Sequence, residues 1–267
     1  MTFILEAVQV SKEIAGRLIL QDISLSCSNN TKLLIRGKNG SGKSTLLKML
    51  AGITEPTSGQ IVRSAQKIGY VPEHFPESLR FTLKEYLLLV SSFQGGSKAS
   101  IENEISKYIE LFGLEAFLDT SLKACSKGTK QKVGIIQALL MKPDLLLLDE
   151  PLTGLDAESQ QVLIELLNEA QTPIIFTSHE EALIRNVAKE IFQIETGEIT
   201  VQSMKAVPKK RIRVAFHRRE DVKDLPVSQQ EFDGNVAVFT VEGNASDEVL
   251  RNLLQKNCSI LEVRELT

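Results

Sequence analysis

With 267 residues, 42% of them hydrophobic, the chain can bury a sizeable core, as one large domain or as a medium one with a small companion. A net charge of -3, from 31 basic against 34 acidic residues, gives no global attraction to nucleic acid or to an anionic membrane, and nucleic acid is not expected as a partner. The three cysteines, Cys27, Cys125 and Cys258, are odd in number and widely spaced, which excludes a disulfide framework and points to a reducing compartment.

The opening "MTFILEAVQV" lacks a basic segment, an apolar run and a small-residue cleavage site in sequence, so no signal peptide is expected. Apolar runs then recur at 3–10, 18–25, 32–37, 68–71, 145–149, 173–178 and 190–195, and none approaches the ~18 to 20 residues of a membrane helix. Runs such as "KLLIRG" and "LLLLD", which lack polar alternation, predict strands buried on both faces, as in parallel sheets. Helix-period stretches lie between them at 44–52, 82–93, 100–113, 129–140 and 159–170, and strands alternating with helices predict an α/β fold. Two successive helices around "FQGGSKAS" break that alternation and predict a helical insertion over about 78–128. After Thr200 the texture changes: "VQSMKAVPKK" reads as a linker. "RIRVAF" and "NVAVFTVE" follow as strands, then a helix opened by Ser246 and Asp247 and a last strand "SILEVREL", a small α/β appendage over 201–267. The basic cluster Lys205, Lys209, Lys210, Arg211, Arg213, Arg218 and Arg219 reads as a solvated linker and strand edge, or as a surface for lipid headgroups or a partner.

"GKNGSGKS", Gly37 to Ser44, sits between a strand run and a helix run, where a phosphate loop must be. Glycines let successive N–H groups converge on phosphate oxygens, and the helix N-terminus adds partial positive charge. Gly37, Asn39, Gly40, Ser41, Gly42, Lys43, Ser44 and Thr45 are the candidate nucleotide-binding residues. Lys43 is expected at the β- and γ-phosphates and the Ser44 hydroxyl on Mg²⁺.

"LLLLDEP" ends a buried strand in two acids at the carboxyl edge of the sheet, where open α/β folds bind ligands. Asp149 would hold Mg²⁺, directly or through water. Glu150 would point to the opposite face unless the chain turns there, and would polarise the attacking water as general base. The bland alternative is an acidic strand end feeding the turn "DEPLTGLD". A second small and basic helix start, "CSKGTKQK" at 125–132, raises the question of a second anion site.

Taken in order, "GKNGSGKST", "LLLLDEP", "TGLD" and "TSHE" closely resemble the ATP-binding subunit of ABC transporters over roughly residues 1 to 200. That resemblance implies a P-loop NTPase core with a mainly parallel sheet, an antiparallel portion near the N-terminus, the helical insertion and the small C-terminal α/β domain. It implies ATP and Mg²⁺ as cofactors and a head-to-tail homodimer or heterodimer with two Mg·ATP at its interface. It further implies an ATPase that energises a membrane-spanning subunit on a separate chain, and so a cytoplasmic protein peripheral to the inner face of the cell membrane. The signature loop of such subunits falls on "CSKGT", where Ser126 and Gly128 match and would face the γ-phosphate of the neighbouring copy, while Cys125, Lys127 and Thr129 depart from it. Lys127 either adds charge beside that phosphate or points to solvent. The resemblance makes Asp156 in "TGLD" a cross-subunit contact and His179 the switch residue at the γ-phosphate.

Two further departures concern Glu73, in place of the usual glutamine, as a metal or communication residue, and Ile14, in place of an adenine-stacking aromatic. The layout of the tail implies export in preference to uptake. The rival expectations are a soluble ABC-type ATPase not coupled to transport and a regulator that does not hydrolyse ATP.

Overall fold

Every uninterrupted apolar run becomes a strand, and the alternation of faces along those strands explains how two cores form around one sheet. The computed structural model describes residues 3–93, 97–201, 209–222, 225, 227–242 and 245–266. Contacts divide the chain into two compact units, Met1–Gln202 and Ser203–Thr267.

Along the first unit run β1 (Leu5–Ile14), β2 (Arg17–Cys27), β3 (Lys32–Arg36), α1 (Lys43–Leu50), β4 (Ser58–Arg63) and β5 (Ile68–Val71). There follow α2 (Leu83–Ser92), α3 (Lys98–Leu111) and α4 (Lys127–Leu140), then β6 (Leu145–Asp149), α5 (Ala157–Glu169) and β7 (Ile174–Thr177). The unit closes with α6 (Glu181–Val187), β8 (Glu190–Gln193) and β9 (Glu198–Val201). A six-stranded sheet has the order β5-β6-β7-β3-β8-β9, parallel except for β9, and a three-stranded antiparallel sheet has the order β2-β1-β4.

In β6, Leu145 and Leu147 join the core shared with β1, β2 and α1, while Leu146 and Leu148 join the core shared with α2 to α6. β3 and β7 divide in the same way: Leu33, Ile35 and Ile175 face α1, and Leu34, Ile174 and Phe176 face the other layer. Such period-two burial is what an uninterrupted apolar strand requires, and each fully buried leucine contributes about 2 kcal/mol.

The insertion consists of α2 and α3 with two 3₁₀ turns, Glu115–Phe117 and Leu122–Ala124, before α4. Its first helix carries a capping box: the Thr82 hydroxyl accepts the Glu85 N–H at 3.2 Å, and the Glu85 carboxylate accepts the Thr82 N–H at 2.8 Å. Phe75, just beyond β5, packs edge-on against Tyr86 of α2, whose hydroxyl donates to Gln137 of α4.

The second unit contains β10 (Lys209–Ala215), a 3₁₀ turn Arg219–Val222, β11 (Gln229–Asp233), β12 (Val236–Glu242), α7 (Ser246–Gln255) and β13 (Ser259–Leu266). Its antiparallel sheet has the order β11-β12-β10-β13. Ile212, Val214, Ala237, Phe239 and Val241 pack under Val249 and Leu253 of α7. On the opposite face Arg211, Arg213, Arg264, Glu231 and Glu262 line a concavity with Val236 and Val238.

α7 does begin at Ser246, but the N-cap is Ala245, and the Ser246 hydroxyl instead accepts from the Lys210 ammonium at 3.1 Å. The basic cluster is not one patch: Lys210 is taken by Ser246, Arg211 pairs with Glu231 at 3.6 Å, and Arg219 lies over the Phe232 ring at 4.9 Å. Lys205 and most of the expected linker, 202–208, lie outside the described residues.

Candidate functional site

Five neighbouring parallel strands, β5, β6, β7, β3 and β8, all end at one edge of the sheet. Their exits deliver, in that spatial order, Glu73, the pair Asp149 and Glu150, His179, the loop Gly37–Gly42, and Glu195.

The loop turns through Gly40 and Gly42 at φ 79° and 95°, a region that costs a side-chain-bearing residue steric strain. Gly42 is also the N-cap of α1 and supplies no side-chain acceptor, so the first-turn N–H groups point outward uncapped. A Cβ on Gly42 would lie 2.7 Å from Leu20, whereas the space beside Gly40 is open. The Lys43 ammonium is folded over the loop, donating to the carbonyls of Gly37 at 2.9 Å and Lys38 at 3.0 Å. Glu195 holds the loop's entry by accepting the Lys38 N–H at 2.7 Å, and that bond keeps its carboxyl below the usual range. Asn39 and Gly40 are exposed, and Ser41, Ser44 and Thr45 are half-buried.

Strand parity places the last residue of β6, Asp149, and the last residue of β7, Thr177, on the α1 side of the sheet, where the loop lies. They are register partners, and the Thr177 hydroxyl donates to Asp149 Oδ1 at 2.8 Å. Asp149 is 3% exposed and Thr177 fully buried. Glu150 does not continue the strand: its φ of 46° turns the chain, and its N–H donates to the same Thr177 hydroxyl at 3.0 Å. The turn resolves the problem of adjacent acids facing opposite ways.

The Glu150 carboxylate accepts the His179 N–H at 3.2 Å through Oε2, and its Oε1 stands 3.4 Å from His179 Nε2. Burial pushes the Glu150 carboxyl above its ordinary value, offset in part by His179. Burial, then the negative charges of Asp149 and Glu73, push the Tyr70 phenol up as well.

Among the described residues, the buried atoms Ser41 Oγ, Tyr70 Oη and Glu150 Oε1 at this edge have no hydrogen-bond partner. Uncapped amides, a folded lysine and the orphaned hydroxyls fit a polyphosphate, while the orphaned carboxylate oxygen of Glu150 fits a hydrogen-bond donor such as water, since buried polar groups otherwise find partners. Among the described residues no group of three or more His, Cys, Asp or Glu could hold a metal alone. That donor set suits Mg²⁺ arriving with phosphate, which keeps several waters and needs only one or two protein carboxylates.

The signature stretch is built differently. Ser126 is the N-cap of α4, and its hydroxyl accepts the Thr129 N–H at 3.1 Å. Gly128 needs its missing Cβ because the carbonyl oxygen of Gly154 in "TGLD" occupies that place. Lys127 is exposed, its stem lying along Gly154. Asp156 caps α5 by accepting the Ser159 N–H at 2.9 Å and hydroxyl at 2.8 Å, and pairs with Lys132 of α4 at 2.8 Å. The Lys132 hydrogen bond, with the Ser159 bonds, holds the Asp156 carboxyl far below the usual range. Ile14 ends β1 at a hairpin tip and is 50% exposed.

Thr177, Glu195 and Lys132 were not among the residues singled out from the sequence. Thr177 carried a signal: a lone hydroxyl ending "PIIFT", next to a strand ending in Asp149.

The ABC transporter family is matched over residues 20–153. The zinc import ATP-binding protein ZnuC of Mannheimia succiniciproducens is 34% identical over 195 residues, 70% of this chain and 71% of that protein. The methionine import ATP-binding protein MetN 2 of Paraburkholderia xenovorans is 33% identical over 67% of this chain, and the match spans 52% of the relative's length. Among solved structures, an ATP-binding subunit of an ABC transporter superposes with a TM-score of 0.68 at 28% identity, covering 75% of this chain and 90% of its own. A dimeric ATP-binding cassette in a post-hydrolysis state, bound to ADP and Pi, shares the fold at a TM-score of 0.66 and 21% identity, over 74% of this chain and 99% of its own. Uncapped phosphate loop, paired strand-end acids and these likenesses agree: the chain belongs to the ATP-binding proteins of ABC transporters.

Proposed function

We propose that the chain hydrolyses ATP between two copies and thereby drives a membrane-spanning subunit carried on another polypeptide. The observation that carries this reading is the convergence of the Lys43 loop, Asp149, Glu150 and His179 on one edge of five parallel strands. No helix among the described residues is long and apolar enough to cross a membrane, which supports a separate partner. The relatives whose names state a direction are import proteins, so import is the reading carried forward, in place of the export expected from the tail.

In the mechanism, Lys43 exchanges the two loop carbonyls for β- and γ-phosphate oxygens, and the α1 amides and Ser41 hydroxyl donate to the same phosphates. Ser44 and Asp149 would hold Mg²⁺ arriving with ATP, which would supply Lewis-acid polarisation of the γ-phosphate. Glu150, its carboxyl raised by burial, takes the proton of the attacking water through Oε1. His179 holds that carboxylate in place through its backbone N–H and stands beside it with Nε2. Ser126 of the neighbouring copy closes the site over the γ-phosphate, and Glu73 passes the change on to the helical insertion through Phe75, Tyr86 and Gln137.

The test is the Glu150→Gln variant: it binds ATP, dimerises and hardly turns over. Wild-type turnover by that variant would remove Glu150 from the role of base. Co-purification with a membrane protein, followed by uptake measured in vesicles carrying both chains, tests coupling and direction.

A further inference from the structure

We propose that Thr177 is the positioning residue of this site, one hydroxyl that orients the metal-binding acid and the general base together. The proposal rests on the reading of Asp149 and Glu150 given above and names the group that makes their roles compatible.

A threonine hydroxyl has one proton and two lone pairs. Here the proton goes to Asp149 Oδ1 at 2.8 Å, and a lone pair receives the Glu150 N–H at 3.0 Å. Because the single proton is committed to Asp149, the hydroxyl can only accept from Glu150, so the two bonds fix each other's direction. Asp149 is left with Oδ2 as the oxygen Thr177 does not engage. Glu150 is left with a backbone anchored in the left-handed region, φ 46°, uncommon for a residue with a side chain and sustained only where surrounding bonds over-determine it.

That anchored turn takes the Glu150 carboxylate off the face opposite Asp149, where strand alternation would leave it, and places it under the His179 N–H. Thr177 is fully buried on β7 and pairs in register with Asp149, so neither bond competes with water. β7 ends at Thr177 and the chain runs on through Ser178 to His179, so the hydroxyl ties acid and base to the end of the strand from which the histidine segment leaves. Partners of this kind around a metal ligand govern affinity and rate without touching substrate.

The experiment compares Thr177→Val, which keeps the shape and removes both bonds, with Thr177→Ser, which keeps the hydroxyl and removes the methyl. ATP binding is measured without metal, Mn²⁺ binding to the ATP complex is followed by electron paramagnetic resonance, and kcat and KM are measured with Mg²⁺. In Thr177→Val, metal-free ATP affinity stays at the wild-type value, while Mn²⁺ affinity and kcat each fall about tenfold or more. Thr177→Ser restores both to near wild type.

If Thr177→Val keeps wild-type Mn²⁺ affinity and kcat, or if Thr177→Ser fails as badly as valine, the hydroxyl has no positioning role. A fall in metal-free ATP binding equal to the other losses would equally overturn the proposal, since it marks general damage to the fold. Failure of the wild-type chain itself to bind and hydrolyse ATP would instead sink the functional reading, so the two failures are distinguishable.

Discussion

The phosphate loop and the signature stretch look alike in sequence, each a small and basic segment opening a helix, yet their first turns are satisfied in opposite ways. At α1 the cap is a left-handed glycine with no side-chain acceptor, and the amides are left for a ligand. At α4 the cap is Ser126, whose hydroxyl already holds the Thr129 N–H, and the glycine's empty side is filled by the Gly154 carbonyl. An anion site in one chain needs unsatisfied donors, and of these two helices only the first has a cap with no side-chain acceptor. The second is a packed element with an exposed serine at its start, and the contact of that serine with ATP of another copy is part of the function proposed above.

The comparison breaks most visibly if Lys43→Ala still binds ATP. A lysine whose donors are committed to the loop should cost about a hundredfold in ATP affinity when removed, the upper range of charge-assisted hydrogen bonds, measured by titration of the isolated chain. Gly128→Ala should leave that titration unchanged while lowering turnover, because the new methyl meets a backbone carbonyl and forces the signature loop and "TGLD" apart; it should cost about 1 to 3 kcal/mol of stability in urea unfolding.

Asp156→Ala removes an N-cap and should cost about 1 kcal/mol at neutral pH. Asp156 has a depressed carboxyl in the folded state, so its stabilisation is present above the unfolded carboxylate range and lost as pH falls through the lower folded value. The stability gap between wild type and variant should therefore persist through mildly acidic pH and close only in strong acid. Smallest of all, Lys127→Gly should change the apparent KM for ATP by no more than about twofold, as for any exposed side chain, and a large rise would place that ammonium at the phosphate.

The buried strands, the long helices and the phosphate loop were legible because apolar periodicity and glycine placement have single physical readings. What escaped had weaker local signals. β4, "SGQIVR", is half polar because it is an edge of the antiparallel sheet, β9 is an exposed edge strand, and α6 is too short to show a period. Asp149 and Glu150 were legible as a pair, but the turn at Glu150 and its anchor depend on a residue from another strand, which no window around "LLLLDEP" contains. The loss of one expectation is instructive in the same way: Ser246 looked like a cap, and a lysine from β10 claims its hydroxyl.

The contact between Gly128 and Gly154 is purely steric, and a steric contact transmits a push but never a pull. Motion of "TGLD" toward α4 must displace the signature helix, whereas on motion away the Lys132–Asp156 pair supplies a tether. The Gln131 amide of α4, which donates to the Pro151 carbonyl at 3.4 Å, adds to that tether. High salt or strong acid weakens the ion pair and leaves the abutment intact, so retreat should lose coupling before approach does.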